Sequence, residues 1–78
     1  MCGIFGILSS NKIDTKDLKN IIKHSYQRGR DSSGIVFTKE NNLYSYKDNT
    51  DIKKLIKKID LKNIKFTMGH SRLVTDGL

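Results

Sequence analysis

Gly34-Ile35-Val36-Phe37-Thr38-Lys39-Glu40-Asn41-Asn42-Leu43-Tyr44-Ser45-Tyr46 carries the pattern that decides the fold. Two runs, 34–38 and 43–46, are rich in β-branched and aromatic residues, and the polar residues 39–42 separate them, which predicts an antiparallel hairpin. Tyr44 and Tyr46 alternate with Leu43 and Ser45, so the tyrosines are expected to pack across the strands. Outward in both directions the period changes. Upstream, Leu18, Ile21, Ile22 and Tyr26 share one helical face, with Asp14 or Thr15 as N-cap, Asp17 in the first turn and Gly29 as the stop. Downstream, Ile52, Leu55, Ile56 and Ile59 predict a second helix over about 50–59. Residues 2–8 are a short apolar run closed by Ser9-Ser10-Asn11, which reads as a strand buried on both faces. Gly3 and Gly6 within it are expected where another backbone or a substrate comes close. Residues 65–70 read as a fourth strand. The order β-α-β-β-α-β gives a small α+β fold with a mostly antiparallel sheet.

Composition narrows the function. Seventy-eight residues make one domain at most. The single cysteine excludes an intramolecular disulfide, and His24 and His70 lie too far apart in sequence to suggest a zinc site. No apolar run approaches a membrane span or a signal-peptide core, so the chain is expected to be cytoplasmic and away from membranes. The net charge of +7 comes from lysines spread over both helical stretches. No nucleic-acid-binding signature accompanies them, so no nucleic-acid partner is expected. Against this lysine bias, Arg28, Arg30 and Arg72 are the three arginines, and all stand in Gly/Ser-rich strings. A guanidinium fork grips a carboxylate at two points where an ammonium is a point charge.

Cys2 follows the initiator methionine directly. A second residue this small allows Met1 to be trimmed, which would leave a thiol and a free α-amine on one residue. An α-amine titrates at about 7.7–8.0, against about 10.4 for lysine, so it can accept the proton of its own thiol near neutral pH. The plainer reading is a small apolar residue opening a buried strand.

Three strings read together sharpen the choice: Met1-Cys2-Gly3-Ile4-Phe5-Gly6-Ile7, Arg28-Gly29-Arg30-Asp31-Ser32-Ser33-Gly34, and Gly69-His70-Ser71-Arg72-Leu73-Val74-Thr75-Asp76-Gly77. In this order they resemble the opening of class II glutamine amidotransferases, whose glutaminase domain is an N-terminal nucleophile hydrolase. The resemblance covers residues 1–78 as the N-terminal portion of that domain and implies an αββα layered fold, truncated here. It implies that Cys2 attacks the glutamine side-chain amide and forms a glutamyl thioester, that ammonia leaves, and that water then releases glutamate. Arg72 matches the arginine holding the glutamine α-carboxylate. Thr75 lies in the same loop and adds a hydroxyl contact, and Arg28 with Gly29 matches a turn that shapes the substrate pocket.

No cofactor is implied. The implied partners are glutamine and an ammonia-accepting synthase domain or subunit, with self-association favoured by uncovered apolar faces. Leu73 replaces the tryptophan of sugar-phosphate-aminating members, and no proline follows Gly29 as in the asparagine-forming branch, so the pattern stands nearest to sugar-amidating relatives. The family domain continues into an Asn-Gly oxyanion element and an aspartate that binds the substrate amine. Neither follows Gly77, so this chain alone is expected to be incomplete as an enzyme. Two other classes stay open: an N-terminal cysteine hydrolase of another amide, and a non-catalytic fragment or interaction module.

Overall fold

The computed structural model describes residues 2–73, with Cys2 described by its backbone alone. The order is β1 (Cys2–Leu8), α1 (Thr15–Arg28), β2 (Ser32–Lys39), β3 (Asn42–Asp48), α2 (Ile52–Ile56) and β4 (Phe66–Arg72). The four strands form one antiparallel sheet in the order β1-β4-β2-β3. The expected α+β class and the expected element order are both present.

Each element has a local cause. Asp14 caps α1 by accepting the Lys16 N–H at 2.8 Å, and Asp51 caps α2 by accepting the Lys54 N–H at 2.9 Å. The hairpin turns through Glu40 (φ 52°) and Asn41 (φ 67°), two consecutive left-handed residues whose twist suits a two-residue connection. The second helix is shorter than the expected 50–59. After Ile56 the bonds close three residues back, Lys58 N–H to the Leu55 carbonyl and Ile59 N–H to the Ile56 carbonyl, so the helix relaxes into tight turns.

Both helices cover one face of the sheet, α1 over β1 and β4, α2 over β2 and β3. Leu18 and Ile22 of α1 and Ile52 and Leu55 of α2 bury against Phe5, Ile35 and Phe37. Tyr44 and Tyr46 stack on Phe37 from β3, with ring centroids 5.4 and 6.0 Å away, as cross-strand packing requires. The other face is open. Ile4 (78 % exposed), Leu8 (81 %), Leu43 (67 %) and Met68 (48 %) stand on it. The expectation that β1 is buried on both faces therefore needs correction: only Phe5 and its helix-side neighbours are covered, and β1 is an edge strand.

Among the described residues no helix is long and apolar enough to cross a membrane.

Candidate functional site

The three strings that stand apart in sequence meet at one corner of the sheet. The register places Cys2 of β1 opposite Arg72 of β4, and Arg72 opposite Ser32 of β2, so the three residues form one row across three strands. Gly3 lies against α1 so closely that a Cβ there would stand 2.8 Å from the Arg28 Cβ and 3.0 Å from the Ser25 carbonyl oxygen. Gly29 is tighter. A Cβ on it would come within 2.5 Å of the Arg72 carbonyl carbon and 2.7 Å of the Leu73 nitrogen. Two residues on, the Asp31 N–H donates to the Arg72 carbonyl at 2.9 Å. The segment after α1 is thus clamped to the end of β4.

Gly29 does cap α1, but with extended backbone (φ −167°) rather than the left-handed turn usual for a helix-ending glycine. Its lack of a side chain serves the contact with β4. Gly6 makes no such approach, since a Cβ there would sit 3.5 Å from the Met68 Cγ, an ordinary contact. The expected close approach therefore holds for Gly3 and not for Gly6.

Behind the row lies a buried hydroxyl pair. Ser25 Oγ donates to Ser71 Oγ at 2.8 Å and lies 3.4 Å from the Gly3 carbonyl oxygen, joining α1 to β4 and β1 beneath the first strand. Both serines are buried, Ser71 completely. This pair was not anticipated, although a signal existed: Ser25 falls on the face of α1 that carries Leu18 and Ile22, where a polar residue needs a partner. Ser25→Ala is expected to lower unfolding stability by about 1–3 kcal/mol, because it strands the Ser71 hydroxyl. The double variant with Ser71→Ala should lose less than the sum of the two single changes, measured by urea denaturation.

The expected substrate-binding residues part company here. Arg72 is exposed and borders a hollow of about 440 Å³ with Ser32, Lys47, Asp48, Asn49 and His70. Arg28 borders a different hollow, between α1 and the β1 edge, with Gly3, His24 and Ser25. Its stem packs on Gly3, so it bears on the first strand through packing. Arg30 lies 4.8 Å from the centroid of the Tyr26 ring, and the Lys53 ammonium 4.2 Å from the same centroid. Thr75 lies outside the described residues, and His24 is on the surface. Within the Arg72 hollow, Asp48 is already engaged. Its carboxylate accepts from the Lys58 ammonium at 3.0 Å and from the Asn49 N–H at 2.8 Å, and these bonds hold its pKa below the ordinary value. Among the described residues no three His, Cys, Asp or Glu side chains gather as a metal site would require.

No protein-family model, no curated protein and no solved structure matches the chain.

Proposed function

We propose that the chain is the N-terminal part of a class II glutamine amidotransferase glutaminase domain. In this reading Cys2, freed of Met1, attacks the glutamine side-chain amide, and the ammonia released passes to an acceptor, a sugar by the nearest resemblance, bound by another domain or subunit. The observation that carries the proposal is the convergence of the three strings. Cys2 and Arg72 pair across adjacent strands, Gly3 rests on Arg28, and Gly29 abuts the Arg72 backbone. Their packing against one another supports reading them as parts of one site.

The geometry also suits the chemistry. Adjacent antiparallel partners stand about 4.5–5.5 Å apart at Cα, so one amino acid is long enough to span the Cys2 and Arg72 positions. The open apolar face favours the αββα layering, since sheets pack face to face about 10 Å apart through such side chains.

Arg72 provides the test. A glutamine-mimicking diazo-ketone should label Cys2, and glutamine should protect it. Arg72→Lys is expected to raise the protecting glutamine concentration by about ten- to a hundredfold, equivalent to about 1–3 kcal/mol, because a point charge replaces a bidentate pair. Protection by 4-aminobutanamide, which lacks the α-carboxylate, should be unchanged. Equal losses for both would assign Arg72 to the fold and favour a hydrolase of another amide. Absence of glutamine protection in a domain completed by the Asn-Gly and aspartate elements would remove the glutaminase reading. Lys19→Ala, on the exposed side of α1, serves as control in preference to Lys53, which rests on Tyr26.

A further inference from the structure

On the open face, the row next to Cys2, Arg72 and Ser32 consists of Ile4, His70, Gly34 and Lys47. Gly34 has no side chain, and the His70 ring lies across it. A Cβ on Gly34 would stand 2.7 Å from His70 Nε2. The imidazole therefore reaches from β4 over β2 toward Lys47 of β3, and Arg72 stands two residues along β4 on the same face. These side chains, with Ser32, border the hollow of about 440 Å³.

The charge in this hollow is unbalanced. Among the described residues neither Lys47 nor Arg72 has a carboxylate partner, whereas Asp48, the acidic residue at its rim, is held by Lys58 at 3.0 Å. Two cations from different strands thus converge on a space that also presents the Ser32 hydroxyl and the imidazole.

We propose that this hollow is an oxyanion site in which Lys47 and Arg72 together hold one compact anionic group, a carboxylate or a phosphate, of a small metabolite. Lys47 is the specificity-determining second cation. The bare backbone at Gly34 lets His70 close the gap between the two positive arms, so the site is spread over three strands and depends on their register. The inference shares Arg72 with the glutamine reading but not the thiol chemistry, so the two can fail separately.

The test is titration of the full chain, ¹⁵N-labelled, with glutarate and separately with inorganic phosphate, followed by amide shifts. Saturable shifts centred on Ser32, Gly34, Lys47, His70 and Arg72 are expected, and the anion that saturates first identifies the group taken. Lys47→Met should raise the half-saturating concentration about fivefold, the size expected for one partly exposed charge contact, and Lys19→Met should leave it unchanged. Lys47 is exposed, so its replacement leaves the core intact. Gly34→Ala should weaken binding in the same way by displacing the His70 ring. Shifts scattered over the lysines of both helices, or a Lys47→Met chain that binds as before, would overturn the proposal.

Discussion

Gly29→Ala is expected to cost about 3 kcal/mol of unfolding stability, the upper end of what forced overpacking costs. For a domain of this size that lowers the melting temperature by about 12–24 °C. The reason is contact, not conformation. At φ −167° alanine is at ease, so no backbone penalty attaches to the change. The added methyl would instead lie 2.5 Å from the Arg72 carbonyl carbon and 2.8 Å from its Cα, and those atoms belong to a strand with partners on both sides. No side chain can swing aside. Either β4 moves away from α1, which breaks the bond from Asp31 N–H to the Arg72 carbonyl, or the end of α1 unwinds. Gly6→Ala is the matched comparison. Its methyl would find 3.5 Å to Met68, and replacing a strand glycine should hold stability constant or raise it by up to about 1 kcal/mol. Thermal melts that coincide for the two variants would refute the clamp between the segment after α1 and β4.

This clamp marks the boundary of what the sequence discloses. The hairpin is legible because its alternation and its turn are local, and α1 is legible because its apolar face and its cap are local. The shortening of α2 is not. Ile52, Leu55, Ile56 and Ile59 keep helical spacing throughout, yet Ile59 reaches the core from a tight turn equally well. The first strand misleads for a related reason. Ile4 and Leu8 face one way and Phe5 and Ile7 the other, so the run is apolar without alternation and reads as doubly buried, although the helices cover only one side.

The candidate site is legible as a set of strings and illegible as a place. That Gly29 needs no side chain because Arg72 passes beside it depends on β4 lying between β1 and β2. Strand order is fixed by long-range pairing that leaves no trace in periodicity. The same holds for Lys47, which reads as one of many solvated lysines until the register sets it in the row of Gly34 and His70. The lysine bias of the chain hides it, whereas the scarcity of arginine exposes Arg72 at once.

The largest effect expected of any single change is at Cys2. A diazo-ketone analogue of glutamine should add one equivalent of mass to the chain that begins at Cys2 and none to Cys2→Ala, since no other thiol is present. Cys2→Ser should react little, because a hydroxyl at its ordinary pKa is a far weaker nucleophile than a thiol. The sharper comparison keeps the thiol and alters only its neighbour. With Met1 retained, the amine of residue 2 becomes an amide nitrogen and loses its basicity. A thiol of ordinary pKa near 8.5 then has no base of its own, whereas a free α-amine at about 7.7–8.0 can take the proton. Labelling at pH 7 should therefore fall to the rate of an unassisted cysteine when Met1 is present and rise well above it once Met1 is removed. Intact-mass time courses on the two forms read this directly. The α-amine assists its own thiol in the unfolded chain too, so the contribution of the corner that pairs Cys2 with Arg72 is the excess of the folded, Met1-free chain's rate over that of the same chain in urea. Equal rates with and without Met1 in the folded chain would mean that Cys2 is a small strand residue and that the thiol chemistry must be abandoned.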